Sequence, residues 1–177
     1  MELAEQLRLP LLSLIDTVGA ELSVAAEESS MAGEIARSIA RLISLRTSTI
    51  SLILGQGTGG GALALLPADR MIAAQHAWLA PLAPEGASAI LYKRTSEANR
   101  TAQDQGITAA DLHAGGIIDR VLPDPVDAAP DALIRQVSAA IVEELNALTR
   151  SKAANRPGPE IGRRERLSRL GNAVVPV

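Results

Sequence analysis

Cysteine is absent from the 177 residues, which removes disulfides, thiolate metal ligands and a cysteine nucleophile together. Histidine is nearly absent: His76 and His113 are too few for a convincing zinc site, so no metal is expected. Trp78 and Tyr92 are the only aromatic residues, and there is no phenylalanine. The core must therefore be packed from Ala, Leu, Ile and Val, side chains that suit closely stacked layers of helix and strand. No apolar run reaches about 18 residues before Asp, Gln or Arg interrupts it, so no transmembrane helix is expected. "MELAEQLRLP" lacks the basic segment and apolar block of a secretion signal. A soluble, cytoplasmic protein without a membrane partner is expected.

A net charge of −3 argues against general nucleic-acid binding. The charge is uneven: from Ser151 onward six basic and two acidic residues give +4, leaving −7 for the first 150. Apolar residues make up 47 %, enough for a chain that folds.

A helix at the start is closed by Pro10. "LLSLIDTVGA" reads as a buried strand with its exit turn. From Glu27 to Leu45, Met31, Ile35, Ile39 and Leu42 form a helical stripe, with acids early and arginines late as the helix dipole favours. "TSTISLIL" is a second buried, β-branched strand. Two apolar strands separated by a helix point to parallel pairing. "ALALL" is expected to form a short buried helix, and "DRMIAAQHAWLAPL" one or two short strands. Helices are expected over Pro84 to Lys93, Ser96 to Gln105 and Thr108 to Ala114, then a strand in "GIIDRVLPD". Pro130 is expected to open a long helix with Leu133, Val137, Ile141, Leu145 and Leu148 on one face. "RPGPEIG" should break it, leaving a basic, loosely held tail. The fold class is α/β, in short ββα-like steps.

The stretch "GQGTGGGALAL" holds five glycines between Gly55 and Gly61, where a strand hands over to a helix. Glycine lets a ligand or another chain approach the backbone closely, and the first amides of a helix lack acceptors within it. Such amides hold a negative oxygen, either a phosphate or an oxyanion that develops during enolate chemistry. The phosphate readings fail on spacing. "GQGTGG" fits G-x-G-x-x-G, but no acid ends a strand about 20 residues on. Ala62 and Leu63 stand where a Walker loop needs Lys and Ser/Thr. The plain alternative is that the glycines only permit tight helix–strand packing.

"GGGALALLPADRMIA" resembles the oxyanion-hole helix of the crotonase superfamily. Three separated stretches resemble more closely the carboxyltransferase of acetyl-CoA carboxylase, its alpha subunit or the C-terminal half of fused forms. They are "LIDTVGAELSVAAEE", "GQGTGGGALAL", and "LAPEGASAILYKRTSEA" followed by "ITAADLHAGGIIDRVLPDP". The resemblance runs from about Glu2 to Leu170. It implies a crotonase-like fold of ββα steps with mostly parallel strands, N-terminally truncated relative to the family. Residues 1–150 would form the carboxyltransferase domain and 151–177 a basic C-terminal tail.

The resemblance also implies transfer of CO2 from carboxybiotin, borne on a separate carrier protein, to acetyl-CoA, giving malonyl-CoA for fatty acid biosynthesis. Gly60, Gly61 and Ala62 would take the catalytic role, their amides facing the ureido oxygen of biotin. Gly59, Gly19, Ala20, Pro84, Glu85 and Gly86 would line the cofactor cleft. The partners would be a beta-type carboxyltransferase subunit, the biotin carboxyl carrier protein and acyl-CoA, in a hetero- or homo-oligomer.

Against the family pattern, Val18 replaces proline, "ELSVA" (Glu21 to Ala25) replaces an aromatic, glycine-containing loop, and Gln56, Thr58 and Ala87 replace Glu, Ser and Cys. Two alternatives therefore stay open: a catalytically silent homologue with a structural or regulatory role, and a crotonase-type enzyme on another acyl-CoA. Elsewhere, Asp16 is expected to orient a turn, Asp69 and Arg70 to form a structural pair, and the Arg163–Arg169 run to be solvated.

Overall fold

A computed structural model describes residues 1–21, 23–125, 129, 131–153 and 159–173. The elements, in order, are α1 (Glu2–Gln6), β1 (Leu11–Thr17), α2 (Val24–Glu28), α3 (Met31–Ser44), β2 (Thr49–Thr58), α4 (Gly59–Leu63), β3 (Arg70–Ala74), β4 (Trp78–Ala80), α5 (Pro84–Tyr92), α6 (Ala98–Gln105), α7 (Ala109–Ala114), β5 (Arg120–Leu122), α8 (Ala132–Ala153) and α9 (Pro159–Ala173). The α/β class expected from the sequence is what the chain adopts.

The strands form one five-stranded sheet in the order β1-β2-β3-β5, with β4 pairing beside the far end of β2, and every pairing is parallel. Alternation along β2 sends its side chains to opposite faces of the sheet. Ile53 joins Ile15, Leu66, Met71, Leu79, Leu112 and Ile118 in one core. Ile50 and Leu52 join Ile72, Leu122, Ala140 and Leu148 in a second, under α8. Val137, Ile141 and Leu145 pack against that second core as the helical spacing predicts, whereas Leu133 is 41 % exposed. Pro130, expected to open α8, and the Arg156–Gly158 part of the expected break lie outside the described residues.

Four expectations are corrected. β1 is not a buried strand: it lies at the sheet edge, and Leu12 and Leu14 on one face are 41 % and 54 % exposed. The single helix over Glu27 to Leu45 is two, α2 and α3, because Ser30 takes a left-handed backbone (φ 62) between them. Asp69 and Arg70 do not pair with each other. Asp69 binds Arg163, and Arg70 reaches Asp119 at 3.3 Å and Glu144 at 3.2 Å.

The basic tail is not loosely held. It forms α9, and the Arg163 side chain is fully buried. Its Nε and one terminal nitrogen each lie 2.8 Å from an Asp69 carboxylate oxygen. The same guanidinium donates to the carbonyls of Leu42 (2.6 Å), Leu45 (2.7 Å) and Thr47 (2.9 Å). One side chain thus satisfies carbonyls at the C-terminal end of α3, groups a helix cannot satisfy itself. Asp69 in turn accepts the Thr49 amide at 2.9 Å. Arg166 pairs with Asp119. The C-terminal end of α3 and the starts of β2 and β3 are tied together through α9.

Candidate active site

At Thr58 the backbone passes directly from strand to helix. Contrary to the expectation of a glycine turn followed by a helix at Ala62, β2 continues through Gly55 and Gly57, and the glycines Gly59 to Gly61 are themselves the first turn of α4. Each glycine has a local reason. Gly59 takes φ +60, a left-handed conformation that glycine adopts without a Cβ penalty. A Cβ on Gly57 would stand 2.9 Å from Leu79 Cδ1 and 3.1 Å from the Trp78 carbonyl oxygen, where β4 joins β2. One on Gly55 would lie 2.7 Å from Asp16 Oδ1. Asp16 Oδ1 accepts the Gln56 amide at 3.0 Å, across the register shift between β1 and β2. Asp16 therefore orients β2 as well as standing at its own turn.

The polar groups at this junction are left over. Thr58, the residue before the helix, makes no side-chain cap, and its hydroxyl is buried without a hydrogen-bond partner among the described residues. Leaving such a group unsatisfied costs about 1–3 kcal/mol. Outside the helices and strands, no hydrogen bond from the Gly60 or Gly61 amide is found among the described residues, and a helix supplies no acceptor to its first amides. Further on, the Ala64 amide donates to the Gly60 carbonyl at 2.9 Å. α4 has five residues, so the donors matter here more than a summed dipole. Gly59, Gly60 and Gly61 are half-buried, whereas Ala62 is buried completely, backbone included.

The exit turn of β1 forms the opposite wall. The Gly19 amide donates to Thr17 Oγ1 at 3.2 Å, and Gly19 takes φ +118. A Cβ on Gly61 would stand 3.1 Å from the Ala20 nitrogen and 3.2 Å from the Gly19 carbonyl carbon. One on Gly19 would stand 3.4 Å from the Thr58 carbonyl oxygen. Two stretches about 40 residues apart in sequence thus meet backbone to backbone, which is possible only because neither residue carries a side chain at the contact.

The third group sits at the start of α5. Pro84 occupies the first helical turn and is buried, Glu85 is exposed, and Gly86 faces Leu82. Pro84 and Glu85 line a cavity of about 340 Å³ with His76, Trp78 and Asn99; the glycine turn is not among its lining residues. The structure thus brings Gly19 and Ala20 against Gly61, and places Pro84 and Glu85 in a separate, neighbouring depression.

Titratable groups near these turns are few. His76 Nε2 and Asp124 Oδ2 form an exposed pair at 2.8 Å, and His113 Nδ1 lies 2.8 Å from the Ile118 carbonyl oxygen. Among the described residues no group of three or more His, Cys, Asp or Glu could hold a metal ion. The junction offers neutral donors and no poised nucleophile, an arrangement suited to receiving negative charge that appears on an oxygen. The sequence reading named the amides and noted Thr58 only as a departure. Its signal was a hydroxyl residue directly before three glycines, the usual place of a helix cap.

Residues 1–171 match the family model described as acetyl co-enzyme A carboxylase carboxyltransferase-like. A Mycobacterium tuberculosis protein named "Probable biotin-dependent acyl-coenzyme A carboxylase beta3 subunit" is 48 % identical over 169 residues, covering 94 % of this chain and 34 % of that protein. An acetyl-coenzyme A carboxylase carboxyl transferase subunit alpha from Phenylobacterium zucineum is 40 % identical over 157 residues, 87 % of this chain and 49 % of the relative. The chain therefore spans between about a third and a half of these relatives. Among solved structures, the beta subunit of Pseudomonas aeruginosa geranyl-CoA carboxylase aligns with TM-score 0.66 at 21 % identity, over 88 % of this chain and 31 % of that one. A Pseudomonas malonate decarboxylase hetero-tetramer in complex with malonate aligns with TM-score 0.68 at 19 % identity, over 93 % and 64 %. At such identities these two report on the fold alone, and it is the fold expected from the sequence.

Proposed function

The chain belongs to the acetyl-CoA carboxylase carboxyltransferase-like family, and on that footing we propose that it supplies the alpha-type side of a biotin-dependent carboxyltransferase site. The observation that carries this reading is the strand-to-helix junction, where Gly60 and Gly61 open the first turn of α4 and the buried Thr58 hydroxyl has no hydrogen-bond partner among the described residues, beside the Gly19–Ala20 turn. An orphaned buried hydroxyl next to half-exposed amides fits a ligand oxygen that accepts hydrogen bonds. Carboxybiotin, when bound, supplies the CO2 to be transferred and a ureido oxygen on which negative charge collects.

The chain's own part is to hold that charge. Gly60 and Gly61 present their amides toward the ureido oxygen, with the Thr58 hydroxyl beside them. Fixed donors of this kind stabilise an oxyanion more than the neutral ground state, and losing one costs about 10²–10³ in rate. Gly59 sets the entry angle of the turn. Gly19 and Ala20 form the facing wall, and Pro84, Glu85 and Gly86 border the side on which biotin enters. No metal is required for these roles.

The acyl acceptor is an acyl-CoA, and within that class acetyl-CoA, giving malonyl-CoA for fatty acid biosynthesis, is the reading the alpha-subunit relatives favour. The mycobacterial relatives are named for acyl-coenzyme A. The partners in this reading are a beta-type carboxyltransferase subunit that binds the CoA ester and a biotin carboxyl carrier protein, assembled in an oligomer. No helix among the described residues is long and apolar enough to cross a membrane.

The test is the reverse reaction. The chain is purified with and without a beta-type partner, and malonyl-CoA-dependent carboxylation of free biotin is followed. Turnover that requires both proteins is expected. A stable complex without turnover would contradict the catalytic reading.

A further inference from the structure

At the opposite end of β2 from the glycine turn lies a cavity of about 860 Å³, bounded by the end of α1, the C-terminal end of α3, the start of β2 and one face of α8. Ten strand residues separate the two ends, about 30 Å at the usual rise. Its size falls within the range of small-molecule sites. Arg8, Arg41 and Arg46 line it, against the single carboxylate of Glu5. In a chain of net charge −3, a lining in which arginines outnumber carboxylates is a local reversal of sign.

Arg8 is the telling residue. It follows the last turn of α1 with φ +55, in the left-handed region, where its amide donates to the Glu5 carbonyl at 3.1 Å and the next amide to the Ala4 carbonyl at 2.8 Å. That is the position at which glycine ordinarily closes a helix, and a side chain there costs about 1 kcal/mol or more. The arginine is held at that cost with its side chain lining the cavity. Glu5 does not cancel the field. Its carboxylate pairs with Arg41 and accepts the Arg46 amide at 3.0 Å, and among the described residues Arg8 has no carboxylate of its own.

The end of α3 would normally oppose an anion, because carbonyls there carry partial negative charge. Here Arg163 donates to the carbonyls of Leu42 and Leu45 from the far side and removes that opposition.

We infer that this cavity binds a small, multiply charged phosphorylated anion at a site separate from the glycine turn. Arg8 and Arg41 contact the charged oxygens, Ser48 adds a hydroxyl, and Pro10 and Leu145 form an apolar wall for the remainder of the ligand.

Isothermal titration of the whole chain with inorganic tripolyphosphate, in buffer of physiological ionic strength, tests this. Saturable binding with one site is expected. Arg8→Gly removes the guanidinium and relieves the left-handed strain, so it should weaken binding at least tenfold while the melting temperature without ligand holds or rises. Arg100→Gln, on α6 and outside the cavity, should leave affinity within twofold. Three results overturn the inference: no saturable binding by the wild-type chain, equal loss in Arg100→Gln and Arg8→Gly, or capture of an oligoglutamate peptide without any binding of tripolyphosphate.

Discussion

Gly61 and Ala20 approach so closely that a methyl group on Gly61 would stand 3.1 Å from the Ala20 nitrogen. The obstacle is backbone on both sides, since the Gly19 carbonyl carbon lies at 3.2 Å from the same point. A methyl group on Gly60, one residue earlier, would first meet the Ile35 side chain, its terminal Cδ1 at 2.9 Å and Cγ2 at 3.6 Å. Gly61→Ala should therefore destabilise by about 1–3 kcal/mol, as overpacking does. In Gly60→Ala the better helix propensity offsets the displaced methyl group, and the change should stay within about 1 kcal/mol. Urea unfolding of the two variants checks the order.

Thr58 separates stability from function. Among the described residues its buried hydroxyl has no partner, so Thr58→Val, which keeps the shape and removes the orphan, should leave the melting temperature unchanged or raise it slightly. If the hydroxyl faces the ureido oxygen, the same variant should slow biotin carboxylation about 10²-fold. Parallel loss of stability and rate would assign Thr58 a purely structural role.

Arg163 is buried, and its partner Asp69 nearly so. Replacing Arg163 by Met should cost about 3–5 kcal/mol, because Asp69 is left charged and unpaired and the α3 carbonyls lose their donor. Arg163→Lys should recover only part of this, since a single ammonium cannot span two carboxylate oxygens and three carbonyls. Chemical denaturation measures both.

Glu5 gives the stability a pH dependence. The Arg46 backbone amide and then the Arg41 guanidinium hold its carboxyl below the usual glutamate range. A depressed carboxyl contributes stability above its unfolded pKa and loses that contribution as pH falls through its lower folded value. The melting temperature of the wild type should therefore exceed that of Glu5→Gln near neutrality, and the difference should shrink below about pH 4.5. A difference that persists unchanged into acid would rule out the ionised carboxylate as its source.

The order of elements was legible because periodicity is local. Alternating Ile50, Leu52 and Ile53 specify a two-faced strand, and Val137, Ile141, Leu145 and Leu148 a helix on a core. Arg163 was not legible. Within "RRERLSRL" nothing distinguishes it from solvated neighbours, and its partner Asp69 lies 94 residues away. The edge position of β1 was hidden for a similar reason: Leu12 and Leu14 are as apolar as buried residues, and exposure depends on which strands flank them. At the glycines the composition pointed to the junction, but the division of labour among them required coordinates. Gly55, Gly57 and Gly61 serve packing, Gly59 serves conformation, and Gly60 and Gly61 open a helix that cannot satisfy its own first amides.

Those leftover amides are the centre of the account, and NMR reads them one by one. In ¹⁵N–¹H spectra of the isotopically labelled chain titrated with free biotin, the Gly60 and Gly61 amide protons should move downfield and saturate. Ala64, whose amide already donates to Gly60, should stay in place. Stationary Gly60 and Gly61 signals at saturating biotin, or an equal shift at Ala64, would contradict the assignment.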